Sequence, residues 1–246
     1  MTDVLLQALL LSFILVGIHA YFGIEIVRRG IIFTDIAIAQ FSALGLALSL
    51  FFFERSSYLV SLLFSLVASL LIALSQRKKE YAEAFIGLLY ALGFSSVVLV
   101  LSKSPHGMEE FLNLTAGDIL FVPKEKIVET GILYAFIGFL LYLRERFLRG
   151  LLKEIFFFVL FSFTVTSSVN LVGVLIVFSL LVSPSLVAIL FGKNLLFAWI
   201  YGAVVNTAGV LISFKLDLPT GFSLVFLHSL LGVVLFLGKI LLQKTL

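Results

Sequence analysis

Nine apolar runs, at 4–27, 32–53, 57–75, 82–101, 127–143, 155–169, 171–191, 195–213 and 220–241, leave this chain little choice of fold class. Most approach the ~20 residues that carry a helix across a bilayer, and short charged stretches separate them. In hydrocarbon, backbone polar groups must pair inside a helix or a closed barrel, and no alternating ten-residue pattern of barrel strands recurs. The sequence predicts an all-α, polytopic transmembrane helical bundle, with 1–246 as one transmembrane domain. With 61% hydrophobic and 13% charged residues and a mean hydropathy of +1.21, the chain has too little polar surface to cover a soluble globule. The opening MTDVLLQALLLSF has no basic residue and no small-residue cleavage site, so it reads as a first transmembrane helix.

Pro184 and its flanking serines in SLLVSPSLVAILFG predict that the seventh run is broken partway, giving about eight full crossings plus one broken or half helix. With the N-terminus outside and the C-terminus cytoplasmic, twelve basic residues fall inside, from Arg28 and Arg29 to Lys239 and Lys244. Only Arg55, Lys103, Lys124, Lys126 and Lys215 fall outside, and eight of the fourteen acids join them there. A net negative outer face favours arriving cations. The polar excursion 102–126 lies outside in this reading, with FLNLTAGDILF amphipathic enough to lie along the membrane surface. The basic stretch 144–154, RERFLRGLLKE, reads as a solvated inner loop at the headgroups.

The stretch 17–45, GIHAYFGIEIVRRGIIFTDIAIAQFSALG, concentrates the polar residues. His19 and Gln40 lie about ten residues either side of the Arg29–Gly30 turn, which puts both roughly 15 Å in, near the midplane. Asp35 lies nearer the cytoplasmic end, and His228 falls midway along the last run. Ionisable groups at such depth suggest a pathway, although a neutral histidine bonded to a carbonyl or hydroxyl explains each equally simply. Glu25 is spaced to pair with Arg28 or Arg29, Glu83 to cap the fourth helix, and Asn170 and Asn206 to bridge helices. There is no cysteine, so a metal ion would meet oxygen and imidazole only. No GxxxxGK[ST] loop, HExxH or Ser/His/Asp arrangement is present, and no basic aromatic face suits nucleic acid. The chain reads as a transport subunit rather than an enzyme.

RRGIIFTD with the small-residue run to Gly45, EAFIGLLYALG (83–93), GDIL (117–120), NLVGVLIVFSLLVSPSLVAILF (170–191) and LDLPTG (216–221) form an ordered set. In that order they resemble the permease of bacterial zinc/manganese/iron ABC importers, the ABC-3 family. The resemblance implies a homodimeric permease in the bacterial inner membrane. Its partners would be a cytoplasmic ABC ATPase, an extracytoplasmic metal-binding protein and a second copy of itself. The divalent metal ion is then the transported substrate, with no permanently bound cofactor. It also implies an ATPase-docking segment after a proline, which falls on 184–195 with Pro184, Ser185, Gly192, Lys193 and Asn194.

The family pattern keeps Asp and His four residues apart on the second helix. Here Ala39 follows Asp35 by four and Gln40 by five, a divergence of roughly 140° on a regular helix. A one-residue π-bulge would bring Asp35 and Gln40 onto one face, with His19 supplying the missing imidazole of a transient metal site. Two other classes stay open: a proton-coupled secondary carrier using His19, Asp35 and His228 as a relay, and a non-transporting membrane sensor or assembly subunit.

Overall fold

The computed structural model describes residues 2–243 apart from Glu54, Pro105 and Asp118; Lys244 and the aspartate of GDIL therefore lie outside the described residues. It is helical throughout, with α1 Thr2–Arg29, α2 Thr34–Phe53, α3 Tyr58–Ser75, α4 Lys79–Leu101 and α5 Gly107–Thr115. There follow α6 Lys124–Phe147, α7 Gly150–Val172, α8 Val174–Leu190, α9 Leu195–Leu216 and α10 Thr220–Gln243. Eight of these helices are long and apolar enough to cross a membrane, and α8 is a shorter apolar ninth.

The interruption expected at Pro184 is absent: Pro184 lies inside α8 without ending it, and the turn at Gly173 is the boundary between α7 and α8, that is, between the sixth and seventh runs. Gly173 adopts φ +86°, and a Cβ there would stand 2.9 Å from the backbone of Ala116. Gly117 N–H donates to Val172 O at 3.0 Å, so the returning chain satisfies one carbonyl that the end of α7 leaves open. A residue free to take positive φ without a side chain is what this crossing requires.

The chain groups into two compact units. One comprises residues 1–29, 118–131 and 175–246, and so contains α1, α9, α10, nearly all of α8 and the start of α6. Its helices approach closely through small residues: a Cβ on Gly23 would lie 2.2 Å from Leu181 O, and one on Gly202 would meet Val16 and Pro184. Ala20, Ala188 and Ala198 form a small core there. Helices in lipid associate through such close backbone approach rather than through apolar bulk.

The other unit comprises residues 30–117 and 132–174. Its α2 is packed against α3 through Gly45, where a Cβ would stand 2.7 Å from Ser61 Cα. The α3–α7 interface is a ladder of hydroxyls. Ser61, Ser65 and Ser69 recur every fourth residue on α3, Ser162, Thr166 and Asn170 do so on α7, and the helices run antiparallel. Asn170 Nδ2 donates to Ser61 Oγ at 3.1 Å, Thr166 Oγ1 lies 2.6 Å from Ser65 Oγ, and Ser162 Oγ donates to Ser65 Oγ at 2.9 Å. On α2, Ser42 extends the ladder, its Oγ 2.8 Å from that of Ser61. Tyr134 of α6 closes it with hydrogen bonds to Ser167 and Ser168.

Two polar stretches are more structured than the sequence indicated. The stretch FLNLTAGDILF is built of two short elements: α5 stops at Thr115, and a separate 3₁₀ turn covers Ile119–Phe121. Leu114 is drawn into a core with Ala43, Leu44, Ala47, Val97 and Leu101. The 144–154 stretch is mostly exposed, as expected, but it is a tight corner between two helices and one of its arginines is buried. Arg144 is buried to 1% exposure, donates to Glu145 Oε1 at 2.6 Å and to Lys153 O at 2.9 Å, and lies over the Phe157 ring. A buried guanidinium needs such partners for its donors, and the corner offers a carbonyl, a carboxylate and a ring face.

Candidate metal pathway

In the first unit, His19 is fully buried on α1, and its Nδ1 lies 2.8 Å from Leu15 O one turn earlier. A carbonyl only accepts, so Nδ1 carries the hydrogen, and in the neutral ring Nε2 holds the lone pair. Metal-ligating histidines commonly use this tautomer, with the other nitrogen fixed by a backbone carbonyl. The bond is also the simple structural role that the sequence allowed for this residue. At the helix end, Glu25 pairs with Arg29 at 3.0 Å, one of the two partners its spacing allowed.

His228 sits in a separate buried node of the same unit. Asn206 Nδ2 donates to Ser12 O at 3.0 Å, which turns its Oδ1 to face His228 Nε2 at 2.9 Å. Ser183 Oγ donates to the His228 carbonyl at 2.8 Å. One asparagine thus ties α9 to both α1 and α10, the bridging role expected of Asn206, and Ser183 adds α8. Asn170 does the same for α7 and α3.

In the second unit, Asp35 and Gln40 do not share a face. The chain is α-helical from Thr34 to Phe53 without a π turn, and Ala37 N–H donates to Phe33 O at 3.0 Å in the ordinary i→i−4 pattern. The expected bulge is absent, and five residues of regular helix leave the two side chains about 140° apart. Gln40 faces α4: a Cβ on Gly93, the last glycine of EAFIGLLYALG, would stand 2.9 Å from Gln40 Cβ. Asp35 is fully buried, and neither carboxylate oxygen has a hydrogen-bond partner.

Glu83 departs from expectation as well. Because α4 begins at Lys79, Glu83 lies in its second turn and does not cap it. Its Oε1 instead stands 3.5 Å from the N–H of Phe33, just ahead of α2. Sequence distance hid this partner, fifty residues away. Among the described residues no group of three or more His, Asp or Glu side chains stands together as a metal cluster.

The expected docking residues divide in two. Pro184 and Ser185 are buried within α8, where Ser185 Oγ donates to Ala20 O at 3.2 Å. Gly192, Lys193 and Asn194 form an exposed turn. Gly192 takes φ +63°, Lys193 N–H closes back on Ala188 O at 2.8 Å, and Asn194 caps α9 by accepting from Phe197 N–H at 3.2 Å. A left-handed glycine followed two residues later by an N-cap makes this a preformed corner.

The family model of the ABC 3 transport family matches residues 1–239. The chain belongs to that family. A probable iron transport system membrane protein of Haemophilus influenzae is 28% identical, over 96% of this chain and 90% of that protein. The chelated iron transport system membrane protein YfeC of Yersinia pestis is 28% identical over 60% of this chain and 56% of its own. Among solved structures, PsaBC from Streptococcus pneumoniae in complex with Fab aligns with a TM-score of 0.71 at 18% identity, covering 94% of this chain and 90% of that one. An inward-facing conformation of a putative metal-chelate type ABC transporter aligns at 0.68 and 20% identity, covering 96% and 85%. These two share the fold of this chain. The ordered motifs from RRGIIFTD to LDLPTG thus pointed to the right family.

Proposed function

We propose that this chain, acting as a single permease domain, is the membrane-spanning subunit of an ABC importer for a divalent transition metal ion: zinc, manganese or iron. The observation that carries this reading is the family match from end to end, together with relatives described as iron and metal transport membrane proteins. Metal reaches it from an extracytoplasmic binding protein. Separate cytoplasmic ATPases drive a homodimer between outward-open and inward-open states. The N-terminus lies outside and the C-terminus in the cytoplasm of a bacterial inner membrane, as the distribution of basic residues favours.

His19, Asp35 and Gln40 serve as transient pathway ligands, each at its own point on the route, since Asp35 and Gln40 do not share a face of α2. The fully buried Asp35 carboxylate, whose oxygens have no hydrogen-bond partner, supports the reading most directly. A site of few ligands suits transit, because an ion held too tightly does not leave. ATPase docking falls to the exposed corner at Gly192, Lys193 and Asn194, with Pro184 and Ser185 supporting it from inside α8. The test is ATPase turnover of the complex reconstituted with its ATPase and binding protein, across zinc, manganese, iron and cobalt. Stimulation by a divalent metal is the expected result. Metal movement under a pH gradient without ATP would instead indicate a secondary carrier, and turnover indifferent to every metal would indicate a sensor or assembly subunit.

A further inference from the structure

Among the described residues, six buried side-chain atoms lack a hydrogen-bond partner, and four of them are oxygens at the start of α2 and the residue that touches it. They are Thr34 Oγ1, both carboxylate oxygens of Asp35 and Glu83 Oε2. Thr34 and Asp35 are each fully buried. Buried polar groups are nearly always satisfied, so a local concentration of orphans calls for a missing partner such as an ion. Here every orphan is an oxygen.

We propose that Glu83, reaching from α4, completes with Asp35 and Thr34 an oxygen-donor site for a divalent cation at the start of α2. The contact between Glu83 Oε1 and Phe33 N–H brings the second carboxylate to the residue preceding Thr34. At 3.5 Å that contact is at the outer limit of a hydrogen bond, so it does not by itself account for burying a carboxylate. A helix start carries roughly half a positive charge, which the two carboxylates by themselves outweigh. Carboxylate and hydroxyl oxygens without imidazole or thiolate suit manganese better than zinc. The inference rests on the reading of this chain as a divalent-metal permease and adds to it a ligand, Glu83, from another helix, with a preference for a harder ion.

The alternative is that Glu83 only caps α2. Glutamine at 83 keeps an oxygen to accept from Phe33 and removes the charge, so Glu83→Gln separates the two roles. The full-length protein, purified in lipid nanodiscs, is titrated with Mn²⁺ and read by electron paramagnetic resonance, alongside Glu83→Gln, Asp35→Asn and Thr34→Val. Thermal unfolding of each variant confirms an intact fold. The expected result is a Mn²⁺ affinity lowered at least about tenfold in Glu83→Gln and in Asp35→Asn, with a smaller loss in Thr34→Val. Unchanged Mn²⁺ affinity in a folded Glu83→Gln protein overturns the proposal, as does a wild-type protein that binds none. Metal-stimulated ATPase turnover of the wild-type complex is measured separately, so a failed site is distinguished from a failed reading of the chain as a metal permease.

Discussion

Ser65 Oγ lies 2.6 Å from Thr166 Oγ1 across the α3–α7 interface, and it also receives a hydrogen bond from Ser162 while donating its own hydrogen to Leu62 O at 2.9 Å. One hydroxyl thus uses its donor and both acceptor positions inside a segment where no water substitutes for them. Ser65→Ala strands two hydroxyls at once. Its expected cost is about 1 kcal/mol, and the cycle with Thr166→Val should show coupling of about 0.6 kcal/mol or more. Unfolding in mixed micelles with increasing SDS measures both.

Glycines on these helices are not equivalent. A Cβ at Gly23 would lie 2.2 Å from Leu181 O and 2.3 Å from Ser185 Oγ, whereas one at Gly87 meets nothing within 4 Å. Gly23→Ala is expected to destabilise by about 1–3 kcal/mol by pushing α1 from α8. Gly87→Ala is expected to stabilise by about 0.5–1 kcal/mol, because alanine is the better helix former. Opposite shifts in thermal unfolding of the two variants check the pair.

Asn206 serves two partners in two helices, and its loss orphans both. Asn206→Ala should cost about 1–3 kcal/mol. Asn206→Asp keeps an acceptor for His228 Nε2 but loses the donor to Ser12 O, and is expected to fall between alanine and the native residue. Denaturation of the three proteins in one detergent gives the order.

For the pathway, His19→Ala and Asp35→Ala should each reduce metal uptake by the complete transporter in proteoliposomes while ATPase assembly, followed by co-purification, stays intact. Normal uptake in both variants would remove these residues from the pathway.

Arg144 should not tolerate lysine. A single ammonium group cannot bond Glu145 and Lys153 O while lying flat over Phe157. Arg144→Lys is expected to cost about 1–2 kcal/mol and to expose the corner at 147–150 to protease. Time courses of limited proteolysis report this.

Much of the helical framework was legible because lipid permits so few backbone solutions. Apolar run length located the spanning helices to within a few residues, and the Glu25–Arg29, Asn170 and Asn206 contacts followed from spacing and burial. What stayed hidden depends on partners distant in sequence. Nothing near Glu83 indicates that its carboxylate goes to Phe33 rather than to its own helix. Pro184 suggested a break in the seventh run, yet α8 carries it without ending, and the turn at Gly173 only separates α7 from α8. Arg144 looked solvated because arginine usually is, and only the folded corner reveals the carbonyl, carboxylate and ring that meet it. The serines of α3 were readable as a period-four row, but their meaning required the matching row on α7.

That matching row has an arithmetic of its own. In the two bonded rungs, facing residue numbers on α3 and α7 sum to a constant, Ser61 with Asn170 and Ser65 with Thr166, and the same register would set Ser69 against Ser162. A slip of one helical turn would place Ser57, Ser61 and Ser65 against Asn170, Thr166 and Ser162, so every rung would again be polar. Ser162 already bonds to Ser65 rather than to Ser69, whose buried hydroxyl is without a partner. The ladder therefore fixes which helices are neighbours and in which sense they run, much as a toothed rack does, but by polarity alone it does not choose between two heights one turn apart.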